Sequence, residues 1–351
     1  SNLDISATME LRKLIKLWKE QGKTVVISEH RIYYLKGLID KVIHLKDGNI
    51  YGEYTEEEFN KFMEKDKWKS GLRPLDLNTF PFCLNNEVKC ESQFTISDML
   101  YSYRKGGYIL KIGEIELPKN KIIGIIGHNG AGKSTLLRLL TAEFFPSEGH
   151  AEILGYSFGN GDITGLRKHI GIVSSFITER LPKHMTAEKI VLTGKYKSSI
   201  LYKAYGDKEL QEAKDMLASL GAGDLIGRKY HGLSQGEKQI CLIARSLMED
   251  PDIIILDEAT VGLDLFAREK LLRQIDRITS LPHAPLVLYV THHAEEITEN
   301  MDHILLLRQG KIVAQGPKND VITPEVLADF YQNPVQIIPI DDHRFYINPL
   351  L

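Results

Sequence analysis

Short unbroken apolar runs alternate along this chain with stretches in which apolar residues recur every three or four positions. The first pattern predicts buried strands and the second amphipathic helices, so the expected fold is α/β. Leu11, Leu14, Ile15 and Trp18 recur at helical spacing within residues 9–21, and Gly22 marks the stop. Strands are expected at Thr24–Ser28, Lys41–Leu45, Tyr108–Ile112, Lys121–Ile126, Ile170–Val173, 252–256, Val287–His292 and His303–Leu307. Helices are expected from Leu136 onward, over Lys208–Leu220 with Gly221 closing it, over Lys238–Met248 and near 324–332. Residues 183–232 read as a helical insertion between strands. Residues 56–92, charged and then irregular with Pro74, Pro81, Asn85 and Asn86, read as the linker. The tail carries Pro334, Pro339 and alternating Val335, Ile337 and Ile338, and the pattern assigns it no role.

The pattern also repeats. His30 and Gly48 stand as far apart as His292 and Gly310 do. Asp40 and Asp302 share this register, as do Ile50 and Ile312, so one constant offset relates the two stretches. The expected organisation is a partial copy at 1–62, a linker at 63–93, a complete domain at 94–320 with the insertion inside it, and a tail at 321–351. The first copy is expected to be a C-terminal remnant, since no phosphate-binding sequence precedes it.

Composition narrows the class only a little. With 351 residues, 43% hydrophobic and 26% charged, the chain reads as an ordinary globular protein of two or three domains. A net charge of −3 gives no argument for nucleic acid or an anionic membrane surface. No apolar run approaches the roughly 18 residues of a membrane-spanning helix, and Ser1-Asn2-Leu3-Asp4 does not read as a signal peptide. Cys83, Cys90 and Cys241 have neither metal-ligand spacing nor a disulfide framework, which fits a reducing cytoplasm. Cys241 falls within an apolar helical pattern and reads as core.

Candidate chemistry begins at Gly127-His128-Asn129-Gly130-Ala131-Gly132-Lys133-Ser134-Thr135. This run fits G-x-x-x-x-G-K-[ST], between an apolar strand and an apolar helix start, the setting a phosphate-binding loop requires. The glycines let successive backbone N–H groups turn toward a triphosphate, and the helix start adds partial positive charge. Lys133 is placed to reach the β- and γ-phosphates, and the Ser134 hydroxyl to ligate Mg²⁺. Asp257-Glu258 closes a later apolar strand. Asp257 can hold Mg²⁺ through water, and Glu258 can polarise an attacking water. Strands often end in charged turns, so this pair draws its meaning from the loop at 127–135. Ser234 by itself reads as a helix N-cap. Leu233-Ser234-Gln235-Gly236-Glu237 nevertheless falls after the phosphate loop and before Asp257-Glu258, an order that a lone cap does not explain.

In this order the motifs resemble the nucleotide-binding domain of an ATP-binding cassette (ABC) protein, over about 95–320. The resemblance implies a P-loop NTPase fold with a mostly parallel sheet core, an antiparallel β subdomain and a helical insertion. It makes Leu233–Glu237 the signature motif, with Ser234 and Gly236 meeting ATP, Asp257-Glu258 the Walker B pair and His292 the switch histidine. Gly262-Leu263-Asp264 resembles the D-loop. Tyr103, upstream of Gly127, falls where the family places an aromatic ring on adenine; Tyr101 is a second candidate, and an ordinary strand tyrosine is the alternative for both. Ser1-Asn2-Leu3-Asp4 resembles a second D-loop and His30 a second switch histidine.

The resemblance further implies ATP and Mg²⁺ as ligands. It implies a head-to-tail pairing with a second ABC domain, in a homodimer or heterodimer, and a separate transmembrane transporter subunit. The chain would be an ATPase, cytoplasmic and peripheral on the inner face of the membrane. A soluble ABC ATPase of translation or DNA repair is the alternative, weakened by the lack of a strongly basic region or cysteine cluster. One departure stands out: after Ile170–Val173 the family usually has a glutamine, and this chain has Ser174-Ser175. Phe176, Ile177 and Leu181 are the apolar residues nearest the position that receives a transporter's coupling helix, with local core as their alternative reading. Residues 1–55 and the linker resemble the tandem ATPases of energy-coupling-factor importers. The Val173-Ser174-Ser175 and Thr291-His292-His293 stretches are more similar to cytosolic tandem ATPases grouped with molybdate uptake. If Tyr103 stacks on adenine, Tyr103→Ala weakens ATP more than it weakens inorganic triphosphate in a calorimetric titration, and equal losses assign the ring a structural role.

Overall fold

The protein's structure, a computed structural model, describes residues 5–28, 35, 37–46, 49–59, 61, 92–102, 109–118, 121–158, 165–173, 181–182, 184–196, 201, 205–339 and 344–350. The chain forms two units, one of Ser1–Phe80 with Gly262–Glu269 and one of Pro81–Val261 with Lys270–Leu351.

In the first unit, helix α1 (Ile5–Glu20) precedes an antiparallel hairpin of β1 (Val42–Lys46) and β2 (Asn49–Tyr54). Its small core is Ile15, Leu35 and Phe59, with Leu11, Leu38, Ile39, Val42 and Tyr54 packed against it. Lys19 Nζ lies 2.7 Å from Asp40 Oδ1 and ties the helix to the hairpin approach. The strand expected at Thr24–Ser28 does not form. Among the described residues it has no neighbour to satisfy its backbone groups, and Val26 is 91% exposed. An apolar run is compatible with a strand, but only a partner makes one.

The second unit contains β3 (Ser92–Tyr101), β4 (Leu110–Ile112), β5 (Ile115–Pro118), β6 (Ile122–Gly127), β7 (Glu148–Ile153), β8 (Tyr156–Ser157) and β9 (Ile170–Val173). After the helical stretch come β10 (Ile253–Asp257), β11 (Leu286–Thr291), β12 (Met301–Arg308) and β13 (Lys311–Pro317). Among the described residues one sheet runs β8-β7-β3-β4-β13-β12-β6-β11-β10-β9, with β5 on β3. Strands β12, β6, β11, β10 and β9 are parallel, whereas β3 pairs antiparallel with β4, β5 and β7. The expected parallel core and antiparallel part are therefore both present.

Helix α2 (Lys133–Leu140) follows β6 directly. Its Leu136, Leu137, Leu139 and Leu140 share one buried cluster with Ile123 and Ile125, Ile253 and Ile255, Leu286, Leu288 and Val290, and Leu305 and Leu307. These are alternate positions of adjacent strands, so one face of the parallel sheet is packed by this helix. The insertion region holds α3 (Ala187–Lys195) and α4 (Asp207–Ser219), and α5 (Gln235–Leu247) packs against both. Leu181, one of the apolar residues considered for partner contact, is buried, which favours its local-core reading; Phe176 and Ile177 lie outside the described residues. Cys241 is buried in α5, and burial pushes its thiol up to about 12, as expected of a core cysteine. Helix α6 (Leu265–Asp276) follows Asp264.

The repeat read from the sequence has a backbone counterpart. In the first unit Leu45 lies opposite Ile50 and His44 opposite Gly52, with a register shift between them. In the second, Leu307 lies opposite Ile312 and Leu306 opposite Ala314, with the shift at the matching place in the repeat. Burial differs sharply. Val26, Ile43 and Leu45 are exposed, whereas Leu288, Leu305 and Leu307 are buried.

The tail belongs to the second unit. Helix α7 (Lys318–Val321) is followed by α8 (Pro324–Tyr331), which Thr323 caps by accepting a hydrogen bond from the Val326 N–H at 3.3 Å. Strands β14 (Val335–Pro339) and β15 (Phe345–Pro349) form an antiparallel hairpin.

Gly310 turns β12 into β13 with φ of 73°, and a Cβ there would lie 1.8 Å from the Ile109 carbonyl oxygen. Its N–H donates to the Ala131 carbonyl at 2.8 Å, which fastens this turn to the phosphate loop. Gly227 has φ of 80° but nothing within 4 Å of a Cβ. Gly227→Ala is expected to cost only the left-handed penalty of about 1–2 kcal/mol, and Gly310→Ala distinctly more. Urea unfolding of the two variants checks this, and equal losses contradict the close approach.

Candidate active site

The phosphate loop leaves β6 at Gly127, closes a tight turn through the Ala131 N–H donating to His128 O (3.0 Å), and enters α2 at Lys133. Gly132 occupies the N-cap with φ of 105°, a conformation side chains rarely adopt, and a Cβ there would stand 3.1 Å from Leu110. Asn129 and Gly130 are exposed in the turn, Ala131 and Thr135 are buried, and Ser134 is exposed on the first turn of the helix. The buried Lys133 ammonium donates to the carbonyls of Gly127 at 2.7 Å and His128 at 3.2 Å. The His128 ring turns to the tail. It stacks on Phe330 with centroids 5.4 Å apart and meets Tyr331 edge-on at 5.3 Å.

Two further loops reach the same place because their strands are neighbours. Thr291 of β11 lies opposite Ile126 of β6, and Val290 opposite Asp257 of β10, so all three strands end level. Glu258, the first residue beyond β10, has φ of 50° and donates its N–H to Val290 O at 3.0 Å. A non-glycine residue held in this conformation costs of order 1–3 kcal/mol and persists only where its surroundings impose it. Glu258 Oε1 lies 3.3 Å from His292 Nδ1 and 3.8 Å from Lys133 Nζ. A carboxylate can only accept, so His292 donates through Nδ1. Its Nε2 is buried with no hydrogen-bond partner among the described residues.

The two carboxylates sit in opposed environments. The His292 hydrogen bond, with Lys133 nearby, holds the Glu258 carboxyl below the usual carboxylate range against the opposing effect of burial. Burial raises Asp257, and the charge of Glu258 raises it further. A cation beside Asp257 would offset both effects, so this residue and the exposed Ser134 suit a divalent ion.

The remaining candidates fall where the local sequence puts them. Ser234 is the N-cap of α5: its Oγ accepts from the Glu237 N–H at 3.3 Å, while the Glu237 carboxylate accepts from the Ser234 N–H at 2.7 Å. Gly236 lies in the first turn of that helix, and Asp264 Oδ1 accepts from the Ala267 N–H at 2.8 Å, capping α6. Tyr101 is buried with its ring stacked on Phe144, centroids 5.2 Å apart, which fits an ordinary strand tyrosine. Tyr103, Ser174, Ser175, His30 and Ser1–Asp4 lie outside the described residues. The His128–Phe330 stack escapes a reading of the sequence, since the two rings are far apart along the chain and neither flanking pattern marks a partner.

A match to the family described as ABC transporter spans residues 110–261. A Streptococcus mutans protein named as an ABC transporter ATP-binding protein is 68% identical over 225 residues, covering 64% of this chain and 86% of its own. The chain belongs to the ABC transporter ATP-binding family. The uncharacterized ABC transporter ATP-binding protein YmeB of Lactococcus lactis is 51% identical over 221 residues, 63% of this chain and 83% of its own. Among solved structures, cbiO1 of Clostridium perfringens, part of the cbiONQ ABC transporter complex, superposes with a TM-score of 0.60. It is 23% identical and covers 68% of this chain and 94% of its own, a likeness of fold. The expected P-loop α/β fold and the reading as an ATP-binding subunit for transport are those of the family. No helix among the described residues is long and apolar enough to cross a membrane.

Opposed environments give opposed signs in stability. The folded pKa of Asp257 is raised, so its ionisation opposes folding above that pKa, and this cost vanishes below the unfolded value. The folded pKa of Glu258 is lowered, so its stabilisation is present above the unfolded value and lost as pH falls through the folded one. In nucleotide-free protein at neutral pH, Asp257→Asn raises the melting temperature and Glu258→Gln lowers it, and both differences shrink below about pH 4. Thermal unfolding across pH checks this; shifts of the same sign at neutral pH contradict the two environments.

Proposed function

We propose that this chain hydrolyses ATP with Mg²⁺, at a site completed by a second ABC domain, and so energises a separate membrane-embedded transporter subunit from the cytoplasmic side. The observation that carries the reading is the convergence of Lys133, Glu258 and His292 at the level ends of three parallel strands. Lys133, held over the loop by two carbonyls, is placed to exchange those bonds for phosphate oxygens. Glu258, kept ionised by His292, accepts a proton from water as the water oxygen attacks the γ-phosphorus and the bond to ADP breaks. His292 fixes the carboxylate through Nδ1, and as an imidazolium it would also donate its Nε2–H to a phosphate oxygen. Mg²⁺, held by Ser134 and Asp257, would neutralise charge on the β- and γ-phosphates.

The site on one chain is half of the proposed whole. Ser234 and Gly236, at the head of α5, are assigned to the ATP of the partner domain, where the helix N-terminus would face a γ-phosphate. Asp264 is assigned to the same contact. Tyr103 is assigned to the adenine ring. A tandem organisation, in which 1–62 belongs to one ABC domain resembling energy-coupling-factor ATPases and 94–320 to a second, is supported by the hairpin register that the two stretches share.

Lys133→Ala is expected to abolish most Mg-ATP affinity in calorimetry, since a triphosphate would lose its nearest cation. Glu258→Gln should keep ATP and trap a dimer in light scattering, while the parent's specific activity rises with protein concentration. A Glu258→Gln protein that stays monomeric with Mg-ATP, beside a parent whose specific rate ignores concentration, defeats the shared site. Deleting residues 1–90 controls for a first unit that blocks pairing.

A further inference from the structure

Behind the Glu258–His292 pair lies a buried carboxylate that the mechanism above does not use. Glu296 ends the short 3-10 turn Ala294–Glu296 and is 1% exposed. Its Oε2 accepts from the Thr291 hydroxyl at 2.6 Å and from the Tyr289 hydroxyl at 2.9 Å. Its Oε1 accepts from the Thr260 hydroxyl at 2.7 Å. All three donors are themselves buried. Thr291 immediately precedes His292, and Thr260 lies just beyond Glu258. One carboxylate is thus bonded to both segments whose tips form the 3.3 Å contact between Glu258 and His292. Thr291 Oγ1 also accepts from the His293 N–H at 3.0 Å, which binds the histidine turn to the same group.

Chemistry explains why the group is a carboxylate. Three hydroxyl donors converge on two oxygens, and a carboxylate is acceptor-only, so each finds a lone pair. An amide of the same shape offers one oxygen and turns an N–H₂ toward at least one hydroxyl, which must then reorient. A carboxylate buried this deeply is costly unless its hydrogen bonds are made, so the three hydroxyls and Glu296 hold one another in place.

We propose that Glu296 is a positioning residue for ATP hydrolysis: by bonding Thr260 and Thr291 together it sets the spacing of Glu258 and His292. This rests on the hydrolytic reading of the site. The phosphate loop is not part of the network, so binding and turnover should separate. In Glu296→Gln, kcat falls about tenfold or more, as expected for misplacement of reacting groups, while affinity for Mg-ATP changes less than about twofold. Thr291→Val shows the same split, and Thr291→Ser, which keeps the hydroxyl, restores turnover. The double variant Thr291→Val with Glu296→Gln loses no more than either single one, because the residues act as one bonded unit. An unchanged kcat in Glu296→Gln, losses that multiply in the double variant, or affinity falling in step with kcat overturns the proposal. If Glu296→Gln does not fold, the Thr291→Val and Thr291→Ser pair decides alone. A parent that hydrolyses no ATP sinks the hydrolytic reading instead. In that case the histidine ¹⁵N resonances still test the positioning: Glu296→Gln or Thr291→Val displaces those of His292, and unmoved resonances in the folded variants overturn it.

Discussion

Strands β6, β11 and β10 run parallel and side by side, with Ile126 opposite Thr291 and Val290 opposite Asp257, and the rest of the site follows from this register. Parallel strands emerge at the same edge, so the loop at 127–135, His292 and the two carboxylates leave the sheet at one level. A slip of a single residue in any of them would turn every side chain of that strand to the opposite face and move its terminal residue by about 3.3 Å. The alternating residues packed on α2 oppose such a slip, so the apolar core and the geometry of the candidate site are specified by the same contacts.

At that edge the polar groups are arranged around a conflict of charge. Asp257 and Glu258 are adjacent carboxylates; Lys133 acts on both, and Glu258 also takes the His292 hydrogen bond. The result is one carboxyl lowered and one raised, an ionised carboxylate beside a desolvated one. The left-handed backbone at Glu258 is the local cost of aiming its side chain at His292, and the N–H bond to Val290 helps hold it there. Glu296 lies one layer further in and meets the hydroxyls at the bases of both loops. The tail reaches the site from outside: its Phe330 stacks on His128, and Arg344 donates to the Glu295 carbonyl at 2.6 Å.

Much was legible in the chain itself. The motif at 127–135 and the pair at 257–258 are short-range patterns whose chemistry depends on backbone freedom, charge and neighbouring strand and helix signals. The spacing shared by the two stretches was legible too, and the hairpins β1–β2 and β12–β13 share its register, because side-chain alternation is local. Ser234 as an N-cap follows from serine's oxygen reaching an N–H in the first turn of its helix, and Glu237 at the matching position completes it.

Sequence thus determined which residues could bind phosphate, hold a cation or take a proton, since those capacities belong to residue types at short spacing. Tertiary structure decided everything that depends on partners distant in the chain. Val26 lies in an apolar run like that of Leu288, yet it is exposed and, among the described residues, unpaired, while Leu288 is buried between β6 and β10, because a strand exists only with neighbours. Leu181 became core, the tail joined the second unit, and His128 acquired an aromatic partner from α8. Glu296, which in the sequence is one charge among several after His292, became a buried acceptor because the fold brought three hydroxyls from two strands' ends to its two oxygens. Spacing along the chain carries information only over short stretches, and such convergence is set by the packing of the sheet.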